Sequence, residues 1–87
     1  MKAVILFNPN SEHSRLVEDF NRNLEMRSGR KLDTISTETI EGANISELYG
    51  VYNYPAIIIT RDDGALVNMW QNEHLPLINE VTGYLNS

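Results

Sequence analysis

Ser11, His13 and Ser14 are the residues of this 87-residue chain whose types and spacing could do chemistry. A histidine that accepts the proton of a serine hydroxyl can make that serine a nucleophile, provided that a carboxylate orients the imidazole. Glu12 is adjacent to His13 in the chain and would point elsewhere on a helix, and the sequence assigns no other carboxylate to that role. The pattern therefore gives only weak support to a Ser-His hydrolase, and it favours an exposed polar role for His13.

The chain contains no cysteine, which excludes disulfide bonds, thiolate metal sites and every reaction that needs a protein thiol. His74 follows Glu73 shortly before the last predicted helix, and together with His13 these residues lack the spacing of a metal site. We therefore predict no metal and no cofactor. His74 is expected to be solvated or to cap a helix.

Composition and charge limit the class of protein. Hydrophobic residues make up 41% of the chain and charged residues 22%, which is typical of a globular protein. The length suits a single domain over residues 1–87. A formal net charge of -5 disfavours binding to nucleic acid or to an anionic membrane surface. The apolar run at the start is too short for a signal peptide, so a cytoplasmic location is expected.

Hydrophobic periodicity predicts a strand, a helix and a second strand in the first half of the chain. Residues 3–7 are apolar and partly β-branched, and Asn8-Pro9-Asn10 closes this run, which indicates a strand buried on both faces. From Ser11 onward, apolar residues recur at helical spacing. They are Leu16, Val17, Phe20 and Leu24. Residues 31–37 are rich in threonine, which predicts a more polar strand at the edge of the sheet.

A short second helix is predicted to follow. Gly42 indicates a break in the chain, and Asn44 with Glu47 three residues later resembles a capping pair. Gly50 is the expected end of this helix.

The last third of the chain predicts a hairpin and a final helix. Residues 56–60 and 65–70 are strand-like and flank an Asp-Gly turn at residues 61–64. Residues 77–85 have helical spacing, with Pro76 in the first turn. The predicted order is βαβαββα, an α/β fold with a mixed four-stranded sheet in the order 2-1-3-4 and helices on both faces.

Residues 48–59 and the pair Asp63-Gly64 carry a resemblance to the thioredoxin-like superfamily. In that superfamily a short helix and a Gly-Val pair precede a cis-proline, an apolar strand and a hairpin turn that contains glycine; Pro55 falls on the cis-proline. The first half resembles glutaredoxins and minimal thioredoxins, whose C-x-x-C motif opens the first helix. Ser11-Glu12-His13-Ser14 occupies that slot, so the resemblance implies a redox-inactive member of the superfamily.

The resemblance leaves two functions open. One is a non-catalytic binding module that holds a peptide or a protein partner in a groove near the cis-proline. Four aromatic residues are possible anchors: Tyr49, Tyr52, Tyr54 and Trp70. The groove would be formed by Asn10, Ser11, Glu12, His13, Tyr54 and Pro55.

The other function is a transferase-like site in which Ser11 and the helix amides hold glutathione or another small anion. Glutathione transferases place a Glu/Gln-Ser pair directly after the cis-proline, and this chain has Ala56-Ile57 there. The simplest role for Ser11 remains an N-cap that accepts from the amide of Ser14, with Asn10 as a substitute. The sequence names no ligand and no oligomeric state.

Overall fold

Two apolar strands form the centre of a single four-stranded sheet. The computed structural model describes residues 1–71 and 75–85. Its strands are β1 (Lys2–Phe7), β2 (Asp33–Ser36), β3 (Ala56–Thr60) and β4 (Leu66–Gln71). They lie in the order β2-β1-β3-β4, which confirms the predicted order.

The pairing of β1 fixes the topology. β1 pairs in parallel with β2, and it pairs antiparallel with β3, where Leu6 lies opposite Ala56. β3 pairs antiparallel with β4, so the predicted hairpin is confirmed. Its turn is closed by the Gly64 amide, which donates to the Arg61 carbonyl oxygen at 2.9 Å.

Helices cover both faces of the sheet. They are α1 (His13–Ser28), α2 (Ile40–Tyr49) and α3 (Ile78–Leu85). α1 and α3 cover one face, where Phe20, Leu24 and Val81 pack against Ile5 and Ile57. α2 covers the other face, where side chains alternate to the opposite side of the strands. The core on that side includes Val4, Leu6, Ala56 and Ile58, with Ile45 and Tyr49 of α2 packed against it.

The start of α2 differs from the prediction. Its N-cap is Thr39, whose hydroxyl accepts a hydrogen bond from the Gly42 amide at 3.0 Å, and Asn44 lies inside the helix. The capping pair proposed at Asn44 and Glu47 is therefore wrong. Gly42 does not break the chain: a Cβ at this position would overlap the carbonyl oxygen of Ser36, so glycine allows α2 to approach the end of β2.

Smaller differences concern the ends of elements. α1 begins at His13 rather than Ser11, and Leu16 is 43% exposed, so it flanks the buried stripe instead of joining it. α3 begins at Ile78, two residues after Pro76. The interpretation of His74 with Glu73 falls outside the described residues. Within the described ranges, no helix is long and apolar enough to cross a membrane.

The Asn21 side chain links α1 to the residue just before β2. The Asn21 amide nitrogen donates to the Leu32 carbonyl oxygen at 3.0 Å, and the Leu32 amide donates to the Asn21 Oδ1 at 2.8 Å. Leu32 is buried just before β2, so these two hydrogen bonds satisfy both main-chain polar groups of a buried residue.

We expect Gly42→Ala to lower the free energy of unfolding by ~1–3 kcal/mol, because the added methyl group forces α2 away from β2. Gly83→Ala in α3 is the matched control, since nothing lies within 4 Å of a Cβ built there. The control should leave stability unchanged or raise it by up to ~1 kcal/mol, because alanine is the better helix former. Urea unfolding of both variants measures the difference, and equal effects would contradict this account of Gly42.

We expect Asn21→Ala to lower the free energy of unfolding by about 1–3 kcal/mol, because it leaves the Leu32 amide and carbonyl without partners in a buried position. Asn44→Ala is the control, since Asn44 is exposed on α2. Thermal unfolding of the two variants compares them directly. A loss of stability for Asn44→Ala as large as that for Asn21→Ala would show that the double hydrogen bond is not its cause.

Candidate functional site

Three loops meet at one end of the sheet. Leu6 lies opposite Ala56, and Phe7 lies opposite Ser36, so β1 and β2 end where β3 begins. The loop after β1, the loop after β2 and the loop before β3 therefore leave the sheet at the same end. They contain five of the six residues predicted for the groove, which are Asn10, Ser11, Glu12, Tyr54 and Pro55, and the sixth, His13, opens α1 directly after the first loop.

The loop after β1 is a hydrogen-bonded turn. The Asn10 amide donates to the Asn8 side-chain oxygen at 3.0 Å, and the Ser11 amide donates to the Asn8 carbonyl oxygen at 3.1 Å. The side-chain amide of Asn10 donates to a carboxylate oxygen of Glu38, which lies in the loop after β2. This contact joins two of the three loops.

His13 is a structural residue of this turn. It is half-buried, and its Nε2 accepts a hydrogen bond from the Asn8 amide at 3.1 Å. Its Nδ1 lies 2.7 Å from the Ser11 Oγ. A neutral imidazole carries one proton; because Nε2 is the acceptor, Nδ1 carries the proton and donates to Ser11. The prediction of an exposed polar role for His13 is therefore wrong.

The same geometry argues against a Ser-His nucleophile. A general base must offer an unprotonated nitrogen to the serine hydroxyl, and here the nitrogen that faces Ser11 is the donor. Moving the proton to Nε2 would place it against the amide proton of Asn8. No carboxylate among the described residues bonds to the His13 ring. His13 holds Ser11 in place and does not activate it.

Ser11 has a different local role from the one predicted. The Ser14 amide donates to the main-chain oxygen of Ser11 at 3.2 Å, and the N-cap position is Glu12, which makes no side-chain capping bond. The Ser11 hydroxyl instead accepts from the amide of His13 at 3.2 Å and from its ring. With both lone pairs engaged, the Ser11 hydroxyl can only donate to a third group.

Two residues that the sequence did not single out, Ser46 and Gln71, hold the loop before β3. The peptide bond between Tyr54 and Pro55 is cis, and the Pro55 side chain is fully buried. The Tyr54 hydroxyl lies 2.9 Å from the hydroxyl of Ser46 on α2. Gln71, at the end of β4, accepts at its side-chain oxygen from the Tyr52 amide at 2.9 Å and from the Asn53 amide at 3.2 Å.

The main chain of Tyr54 forms no hydrogen bond within the part of the chain that the structure describes: neither its amide nor its carbonyl oxygen has a partner there. The amides of the two preceding residues, Tyr52 and Asn53, are occupied by Gln71. Among the described residues, the loop is therefore held just before Tyr54, whose own amide and carbonyl groups are unpaired.

The four predicted aromatic anchors separate into two groups. Tyr52, which is 83% exposed, and Tyr54 belong to the loop before β3. Tyr49 packs against the core under α2 and donates to the Gly64 carbonyl oxygen at 2.7 Å. Trp70 packs edge to face against Tyr84 of α3, with the ring centroids 5.8 Å apart. Only the first pair can serve the groove.

The three loops at this end of the sheet carry a net negative charge. Residues 8–14, 36–39 and 51–55 include the carboxylates of Glu12 and Glu38 and contain no lysine or arginine. An anionic ligand would meet the negative charge of Glu12 and Glu38, and the next cation along the chain is Arg15 in the first turn of α1. Among residues 1–71 and 75–85, no group of three or more histidine, aspartate or glutamate side chains could hold a metal ion.

Sequence comparison finds no match, whereas structural comparison finds proteins with the same fold. No protein-family model matches the chain, and no curated protein sequence matches it significantly. Thioredoxin 1 from Thermosipho africanus superposes with a TM-score of 0.64 at 16% identity, covering 99% of this chain and 91% of that one. Plasmodium falciparum thioredoxin superposes with a TM-score of 0.64 at 8% identity, covering 98% of this chain and 82% of that one.

A designed protein also superposes, with a TM-score of 0.59 at 19% identity, covering 98% of this chain and 72% of that one. At such identities, structural similarity establishes the fold and leaves the activity open. The chain has a thioredoxin-like fold, and it carries no cysteine.

Proposed function

We propose that this protein is a redox-inactive binding module that holds an extended peptide segment of a partner beside Tyr54. The observation that carries the proposal is the unpaired main chain of Tyr54 within the described residues, next to the start of β3. An extended peptide can pair with such a peptide unit in the manner of an added strand. This mode of binding needs no thiol.

The loop is preorganised for this role. Ser46 holds the ring of Tyr54 through a hydrogen bond between their hydroxyls. Gln71 holds the amides of Tyr52 and Asn53. Pro55, at the end of the loop, is buried. Because the loop is already held in place, binding costs little further ordering of the protein. Tyr52 adds a large exposed aromatic ring that a partner side chain can cover.

The first-helix end supplies the opposite side of the proposed groove. Asn10 and Ser11 lie at the same end of the sheet as Tyr54. His13 orients the Ser11 hydroxyl as a donor. A carbonyl oxygen of the bound peptide is a suitable acceptor, because it carries no net charge into a site that contains Glu12 and Glu38.

A second candidate is a site for glutathione or another small anion at the start of α1. The observation in its favour is that the Ser11 hydroxyl can act only as a donor. The carboxylates of Glu12 and Glu38 weaken it, since both repel an anion at this end of the sheet. The peptide is therefore the favoured ligand.

Amide NMR titration with a mixed pool of extended peptides tests the main proposal. We expect saturable shifts centred on residues 52–56 and slower hydrogen exchange at the Tyr54 amide, because that amide gains a partner on binding. We expect Tyr52→Ser to weaken binding ~10-fold, since it removes the exposed aromatic anchor. Met26→Ser is the control, because Met26 is 79% exposed on α1 and should leave affinity unchanged.

The same titration separates the two candidates. Glutathione should leave the spectrum unchanged if the peptide proposal is right, whereas saturable shifts confined to residues 11–14 would support the anion site. Peptides that shift no amide of residues 52–56 would contradict the binding module.

Disulfide reduction supplies an independent measurement. The wild-type protein should reduce insulin disulfides no faster than buffer, because a serine hydroxyl cannot exchange disulfides. Ser11→Cys combined with Ser14→Cys should give measurable turnover. A thiol at position 11 would receive the two hydrogen bonds from His13 that now reach Ser11, and they favour a thiolate. Turnover by the wild-type protein would contradict the redox-inactive assignment.

A further inference from the structure

The ring of His13 makes two hydrogen bonds that depend on its protonation state. Nε2 accepts from the Asn8 amide at 3.1 Å, and Nδ1 donates to the Ser11 Oγ at 2.7 Å. Histidine is the side chain whose ordinary charge change falls between about pH 5 and about pH 8. The contacts of this ring therefore respond to a change of pH that leaves ordinary carboxylates ionised and tyrosines neutral.

Asn8 is the residue on which the turn before α1 is built. Its side-chain oxygen accepts from the Asn10 amide at 3.0 Å, and its carbonyl oxygen accepts from the Ser11 amide at 3.1 Å. The His13 ring is the one partner of the Asn8 amide among the described residues. The turn is therefore held at Asn8 by residues 10 and 11 and by the imidazole that follows them.

A second proton on the ring is incompatible with these contacts. When His13 is charged, both ring nitrogens carry hydrogen and neither can accept. Nε2 and the Asn8 amide would then face each other as two donors, so the bond between them is lost. The contact is half-buried, and a main-chain amide that loses its partner in such a place destabilises the local structure.

Three charged residues belong to the segments around the ring. Glu12 and Arg15 lie on either side of the histidine along the chain, and Glu38 joins the turn through the Asn10 side chain. None of them bonds to the ring in the described part of the chain. Residues 51–55 bring no carboxylate and no cation, and their tyrosines ionise only near pH ~10. The two carboxylates favour a charged ring without giving the turn a new acceptor for its amide.

We propose that His13 is a pH-sensitive switch: its neutral ring holds the turn at residues 8–11 closed, and protonation of the ring releases the turn. The nitrogen that accepts from Asn8 is the same atom that the added proton occupies. The turn also forms one side of the groove proposed for a peptide, so its release would alter that side. The switch does not rest on the peptide proposal, because it concerns the free protein alone.

NMR of the free full chain at about pH 8 and about pH 5 tests the switch. At the higher pH, ring nitrogen spectra should place the His13 proton on Nδ1. At the lower pH the ring should be charged. The hydrogen-exchange protection of the Asn8 amide, relative to an unstructured chain at the same pH, should then fall at least ~5-fold. The Ile57 amide in the buried part of β3 should keep its chemical shift, because the sheet stays folded.

Two glutamine variants separate this switch from other titrations. His13→Gln removes the titrating ring, so the protection of the Asn8 amide should be equal at both pH values. His74→Gln is the matched control, because it removes the other histidine of the chain and should respond as the wild type does. A response that survives His13→Gln would overturn the proposal. So would a ring proton on Nε2 at the higher pH, a ring still neutral at the lower pH, or Asn8 protection that persists once the ring is charged.

Discussion

The structure depends on the antiparallel pairing of two strands that are apolar on both faces. Ile5 and Leu6 in β1 and Ile57 and Ile58 in β3 are buried, and in each pair the two side chains point to opposite sides of the sheet. Such strands are stable only when helices cover both faces, which is what α1 with α3 and α2 provide. The more polar strands β2 and β4 can then occupy the edges. The same register brings the loops around Ser11 and Tyr54 to one end of the sheet.

The start of the first helix is organised by one histidine. It follows a hydrogen-bonded turn in which His13 accepts from Asn8 and donates to Ser11. These bonds satisfy the polar groups of the turn and fix the imidazole as a neutral donor, so they stabilise the loop while removing a basic nitrogen from Ser11. The turn is thus a structural element of a thioredoxin-like fold that carries no cysteine.

Two surfaces of this small fold are open to contact with another molecule. At one end of the sheet, the main chain of Tyr54 has no partner in the described chain, although Ser46 and Gln71 secure the groups around it. Beside α2, an apolar groove lies open between Leu48 and Ile58. The first region is the one that we propose for an extended peptide.

The sequence by itself determined the order of the elements, the strand order and the hairpin, because the apolar runs of β1 and β3 and the turn at residues 61–64 are local signals. It also determined that no thiol chemistry is possible. Only the tertiary structure decided the roles of Gly42, His13 and Gln71, because no sequence pattern indicates the groups that they contact. Gly42 lies against the Ser36 carbonyl, and His13 accepts from the Asn8 amide. Gln71 accepts from two amides just before Pro55. Local periodicity records which face of an element is buried; it does not record which polar groups meet when the loops come together.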